Sequence, residues 1–148
     1  MLKPKIILKG DKELIRKLKK LSDRRQLKKV LRRATTAAAQ VVVKGVRAQW
    51  PTDTGLSKMS VTKKIISTRA GFSAIIGIDA AVVGRSHGRE HVPSNIDHLV
   101  EFGYQLRNGT TVPARAPLRK GYDATKAQAE ARFAEKATEE IEKAAVKR

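Results

Sequence analysis

Pro51-Thr52-Asp53-Thr54-Gly55 divides two kinds of sequence. Before it runs a long basic segment with helical spacing; after it, residues alternate as strands do. Pro51 biases Trp50 away from helical torsions, and Asp53 and Gly55 supply turn chemistry, so a helix arriving from the N-terminal side must stop there. The stretch therefore points to an α+β fold in which a small antiparallel sheet packs against a long N-terminal helix, with a C-terminal helix beyond it.

Upstream, Leu27, Val30, Leu31, Ala34, Ala38, Val41, Val42 and Gly45 recur at helical spacing and predict a helix over about 23–49 with one face broad enough for a core. Its polar face carries Arg24, Arg25, Lys28, Lys29, Arg32 and Arg33, then turns nearly neutral. Ser22 and Asp23 can cap or restart that helix. Ahead of them, Leu14, Ile15, Leu18 and Leu21 share a face of a short amphipathic helix opened by Gly10 and Asp11. Lys3 to Lys9 alternates loosely and reads as an edge strand, the place where Pro4 is tolerated.

Downstream, Met59, Val61 and Ile65, followed after Arg69-Ala70-Gly71 by Phe72, Ala74, Ile76 and Ile78, predict a half-buried antiparallel hairpin. Residues 83–94, with Gly84, Ser86, Gly88, Pro93 and Ser94, have the composition of an exposed, mobile loop. Ser94 and Asp97 have the spacing of a capping box, so Ile96, Leu99 and Val100 fall on a short helix ending near Gly103. Asn108-Gly109 marks a turn at the tip of a small hairpin. A last helix, about 120–146, starts at about Leu118 or Asp123 and runs to Lys147, with Ala127, Ala131, Ala134, Ala137, Ile141 and Ala144 as its narrow stripe. At 148 residues the chain fits one domain spanning 1–148.

Apolar residues make up 41% of the chain but aromatics only 4%, which predicts a thin core rich in alanine. The formal charge is +18, unevenly spread: residues 1–33 hold 14 basic and 3 acidic side chains, whereas 123–148 hold six of each. Such a field attracts polyanions, whether nucleic acid, an anionic membrane or an acidic protein surface. The absence of cysteine excludes disulfides and thiolate metal sites. Ile6-Ile7-Leu8 is far shorter than a signal-peptide core, and no stretch approaches membrane-spanning length, so the expectation is the cytosol, or a particle assembled there, with no membrane partner.

His87-Gly88-Arg89-Glu90-His91 has the literal spacing of an inverted zinc-protease motif, with Glu101 as the nearest candidate for a third ligand. The chemistry requires both histidines on one helical face, and Gly84, Gly88 and Pro93 oppose a helix, so a solvated loop is the preferred reading. No phosphate-cradling glycine loop and no Gly-x-Ser-x-Gly elbow occurs. Asp53, Asp79, Asp97 and Glu101 have ordinary readings as turn, strand end, helix cap and surface pair. No catalytic residue, metal site or cofactor is expected. The basic helix face is the functional candidate; its Lys and Arg, without aromatic interleaving, suit phosphate or carboxylate contact better than base-edge readout.

Three short motifs in order resemble the tail-completion or head-tail joining proteins of long-tailed phages, a group that includes proteins like the minor tail protein Z of lambda-like phages. Pro51-Thr52-Asp53-Thr54-Gly55 is similar to the family's Pro-x-Asp-Thr-Gly, Val100-Glu101-Phe102-Gly103 to its Val-Glu-Phe-Gly-Thr, and Pro113-Ala114-Arg115-Ala116-Pro117-Leu118-Arg119 to its Pro-Ala-Arg-Pro-Phe-Leu-Arg. Tyr104 stands in place of the threonine, Ser57 in place of a leucine, and Pro117 is displaced by one position. The resemblance implies a virion structural protein of the head-tail junction, forming a ring of six. Its partners would be copies of itself, neck or connector proteins, tail terminator or tube proteins, and DNA in the channel. It implies that Pro51, Asp53, Thr54, Gly55, Glu101, Phe102, Gly103 and Arg119 are structural positions, and it implies no catalysis. The rival reading, a stand-alone basic nucleic-acid-binding domain, fits charge and size equally; it predicts a monomer that grips DNA or RNA with a steep salt dependence.

Overall fold

The long basic segment is helical from Arg24 to Gln49 (α1) and stops where Trp50 and Pro51 require. In the computed structural model, residues 24–51, 55–69, 71–86 and 88–146 are described. The expected edge strand at Lys3–Lys9, the helix carrying Leu14, Ile15, Leu18 and Leu21, the Ser22-Asp23 cap, and Asp53, Thr54 and His87 lie outside the described residues. After α1 come α2 (Leu56–Ser60), β1 (Val61–Thr68), β2 (Gly71–Ile78), β3 (Gly84–Ser86), β4 (Arg89–His91), a 3-10 turn at Pro93–Asn95, α3 (Asp97–Phe102), β5 (Tyr104–Gln105), β6 (Thr111–Val112) and α4 (Pro117–Val146). The strands pair as three two-stranded sheets, β1 with β2, β3 with β4 and β5 with β6. The architecture is mixed α+β, as the periodicities predict.

The buried residues of α1 fall in a row: Val30, Ala34, Ala38, Val42 and Val46, continued by Trp50 just past its end. Each follows the last by four residues, so the row drifts by about 40° per step around a helix of 3.6 residues per turn. On α4 the same spacing joins Ala129, Phe133, Ala137 and Ile141. Rows of this kind are the ridges with which two helices interlock. The stripe expected for α4 holds at Ala137 and Ile141 and is corrected in its first half, where Ala127 and Ala131 are exposed. The core is thin, as expected: among the described residues, six of the fifteen buried apolar side chains are alanines.

The chain forms two compact units. The first takes the described residues up to Val41, Lys63–Ile75 and those from Lys126 onward. Its interior is built from Val30, Ala34, Ala38 and Ala39 of α1, Ala74 of β2, and Ala129, Phe133, Ala137 and Ile141 of α4. Lys63 of β1 donates its ammonium to the side-chain carbonyl of Gln40, which ties the hairpin to α1 within this unit.

The second unit takes Val42–Thr62 and Ile76–Thr125. Here the backbones of α1 and α4 meet without side chains between them: a Cβ on Gly121 would lie 2.4 Å from Cα and 2.6 Å from the amide nitrogen of Val46. Arg47 reaches over α2 and donates to the carbonyl of Val61 at 2.8 Å and of Met59 at 3.4 Å. That grip accounts for one departure from expectation. Met59 and Ser60 belong to the helical turn of α2, not to the hairpin, since Met59 N–H donates to the carbonyl of Gly55 at 3.0 Å and the Ser60 hydroxyl to that of Ser57 at 2.7 Å. The strand begins only at Val61.

Two further expectations change in this unit. Residues 83–94 are exposed for much of their length but not irregular: β3 and β4 pair in antiparallel register from Gly84 with His91 to Ser86 with Arg89. Ser94 does not cap α3, because it sits inside the 3-10 turn and Ile96 takes the capping position with no side-chain hydrogen bond. The helix still ends at Gly103, and Asn108-Gly109 still turns a hairpin, with Tyr104 facing Val112.

Candidate functional site

The six cations singled out on α1 all lie on its exposed side. At about 100° per residue they span half the helix circumference, opposite Val30 and Ala34. They are not equivalent. The Arg33 guanidinium donates to Glu140 of α4, whose side chain is only 8% exposed. Arg33 and, at 3.4 Å, Lys136 hold the Glu140 carboxyl below its usual pKa, against the opposing effect of burial. Lys29 and Arg33 line one wall of a groove of about 610 Å3, whose other wall carries Glu139, Glu140 and Glu142. Arg24, Lys28, Lys29 and Arg32 hold no ion pair among the described residues. One margin of the basic face therefore meets carboxylates of its own chain, and the rest faces outward.

A second constellation joins two motifs far apart in sequence. The Glu101 carboxylate accepts the backbone N–H of Leu118 at 2.9 Å and of Arg119 at 3.3 Å, the second and third residues of α4. Amides at a helix start have no intrahelical acceptor, and a carboxylate there also meets the positive end of the helix dipole. The residue before the helix, Ala116, has no side-chain oxygen and stands at φ 49°. Its left-handed backbone suits the displaced proline, for Pro at 116 would need φ near −65° whereas Pro117 opens the helix at a position where no N–H is wanted. Arg115 N–H donates to the carbonyl of Val100 at 3.0 Å, closing the same clasp. Gly103 lies inside it with φ 74°, and a Cβ there would sit 2.6 Å from the Val112 oxygen and 2.7 Å from the Ala114 nitrogen. Only glycine fits.

The family described as "Bacteriophage HK97-gp10, putative tail-component" matches residues 12–103, more than half of the chain. The chain belongs to this HK97-gp10-like family. No curated protein and no solved structure matches it. A phage tail component is a structural part of a virion, in keeping with the family that the three motifs resemble. The HK97-gp10-like match ends at Gly103, yet Val100 and Glu101 are bonded to Arg115, Leu118 and Arg119 beyond it. Of the other motif positions, Pro51 is half-buried and Gly55 precedes α2 with φ 77°. Arg119 contributes its backbone to the clasp and leaves its side chain exposed, and Phe102 is 62% exposed.

Glu101 reads from sequence as a surface pair or a third metal ligand, and both are corrected: its two oxygens hold helix amides. The available signal was Pro117, which starts a helix, behind Ala116, which cannot cap one. Arg89 to His91 is strand, so the helical geometry of the zinc-protease motif is absent from this part of it. Among the described residues no three His, Asp or Glu side chains gather as a metal site. No helix among them is long and apolar enough to cross a membrane.

Asp97, read from sequence as a helix-cap residue, is 5% exposed. Among the described residues neither carboxyl oxygen has a hydrogen bond of ordinary geometry. Burial pushes its pKa from 3.8 to about 6, against the smaller pull of Ser57, His91 and His98. Between about pH 4 and 6 the folded state holds a proton that the unfolded chain has released, so stability is greatest below pH 4 and falls as pH rises to 6. Asp97→Asn is therefore expected to match the parent near pH 4 and to exceed it by about 2 kcal/mol at pH 7. Urea unfolding at the two pH values checks this, and an equal effect at both would place the carboxyl in solvent.

Proposed function

We propose that this HK97-gp10-like protein is a single-domain component of the phage head-tail junction. It forms a ring, with six copies as the expected number, that completes the tail and joins it to the neck, and the outward part of the α1 basic face meets DNA or an acidic neighbouring ring. The observation that carries the reading is the exposed row of Arg24, Lys28, Lys29 and Arg32, which hold no ion pair among the described residues, in a member of a tail-component family. Duplex DNA carries one charge per roughly 1.7 Å, so a ring about 35 Å tall encloses roughly 20 phosphates, or three to four per subunit in a ring of six. Four cations per subunit match that requirement. DNA must slide during ejection, which favours diffuse Coulomb attraction over fixed hydrogen bonds.

The test replaces Arg24, Arg25, Lys28, Lys29 and Arg32 by glutamine and keeps Arg33, whose loss would remove the nearer of the two cations that hold the buried Glu140. Assembled particles are expected to lose DNA retention or infectivity by tenfold or more, while the variant keeps the ring mass of the parent. Unchanged infectivity and DNA retention would refute the role of this face. A parent protein that is monomeric, binds duplex DNA tightly by itself and shows a salt slope steepened by about 0.9 per phosphate contact would instead support the stand-alone nucleic-acid binder.

A further inference from the structure

Within Val100-Glu101-Phe102-Gly103, three residues have a task inside the chain. Val100 accepts a backbone hydrogen bond, Glu101 caps α4, and Gly103 fills a position with no room for a side chain. Phe102 has none. It ends α3 at 62% exposure, beside Tyr104 and Leu106 at 39% and 43% on the exposed β5–β6 hairpin. Aromatic and aliphatic side chains left in water at one place mark contact surfaces. The surroundings are cationic: Arg107 follows Leu106, Arg115 is bonded through its backbone to Val100, and Arg119 through its backbone to Glu101. All three side chains are exposed and hold no ion pair among the described residues.

We infer that the surface around Phe102 docks a different protein of the particle, one presenting an apolar pocket rimmed by carboxylates. The inference rests on the reading of this protein as a joining component and names a partner surface separate from the α1 face. Charge complementarity selects the occupant. The arginine rim selects a surface rich in carboxylates, which a chain of formal charge +18 offers less readily than an acidic neighbour, so the copies of the proposed ring meet through other faces. Duplex DNA offers phosphates to the arginines but nothing to Phe102 and Leu106, whereas a central apolar anchor inside a charged rim is the common layout of protein interfaces. The arginines steer the encounter and Phe102 supplies the anchor.

The test places the photo-crosslinking residue p-benzoylphenylalanine at position 102 of the full chain and irradiates assembled particles. Mass spectrometry is expected to find an adduct with another virion protein, through a peptide of net negative charge. Changing Arg107, Arg115 and Arg119 to glutamine is expected to cut that adduct at least fivefold. Phe102→Ser with Leu106→Ser is expected to keep the parent's circular dichroism and melting temperature while incorporation falls tenfold or more. An adduct with a second copy, an adduct with DNA, or no adduct in particles that contain the protein overturns the inference and leaves the joining function standing. Absence of the parent protein from particles overturns both.

Discussion

Gly121→Ala is expected to destabilise the fold by about 3 kcal/mol, a melting-temperature fall of roughly 6–12 °C for a chain of this size. The sign is opposite to the usual one. On an open helix face the same exchange stabilises by about 1 kcal/mol, because alanine loses less backbone entropy than glycine. Here the new methyl would lie 2.4 Å from Val46 Cα and 2.6 Å from its amide nitrogen. Both atoms belong to the α1 backbone, so no rotamer change relieves the clash and the helices must part, loosening the buried row at Val42 and Val46. Gly45→Ala is expected to cost less, about 1–2 kcal/mol, since its nearest obstacle is a side-chain methyl of Thr125 at 2.3 Å. Thr125 can turn, at the cost of the 2.6 Å hydrogen bond from its hydroxyl to the Gly121 carbonyl. Urea unfolding of the two variants measures the order. Gly121→Ala as stable as the parent would show that the helices are not in backbone contact.

Glu101→Ala is expected to cost about 2–3 kcal/mol, and Glu101→Gln about 1 kcal/mol, because the first removes the acceptor of two helix amides and the second only weakens it. An exposed ion pair at the same position would be worth about 0–1 kcal/mol and would fade at high salt. The two cases separate cleanly if unfolding is repeated in 0.5 M salt, where the cap loses little because its donors are fixed N–H groups. Hydrogen exchange gives a second readout: the amides of Leu118 and Arg119 should lose protection in Glu101→Ala before the rest of α4 does. Loss of stability without that local change would detach Glu101 from the helix start.

Legibility in the sequence followed the length over which a physical pattern repeats. α1, β1 with β2, the Asn108-Gly109 turn and α4 are each announced by many residues or by an obligatory turn, and each lies close to where it was expected. β3 and β4 were missed because three residues cannot show a period of two. The first half of the α4 stripe was misplaced for a different reason: alanine occurs on several of its faces, and only Phe133 and Gly121 reveal which one packs. Met59 and Ser60 alternate like a strand, yet Arg47 and the Ser60 hydroxyl hold them in a helical turn. The basic face of α1 was legible in full, but its ion pair with Glu140 was not, for it joins residues 107 apart. Asp97 and Glu101 looked ordinary because burial and capping are properties of what surrounds a carboxylate.

The clasp between α3 and α4 bears on how such proteins diverge. The helix that starts at Pro117 depends for its first turn on an acid carried 16 residues earlier, on the far side of the point where the family match ends. A lineage that loses Glu101 must acquire an oxygen-bearing residue next to its own helix start, and one that gains such a residue is released from keeping the acid. The segments around 100–103 and 113–119 thus work as one structural unit, and a boundary drawn at Gly103 passes through the middle of it.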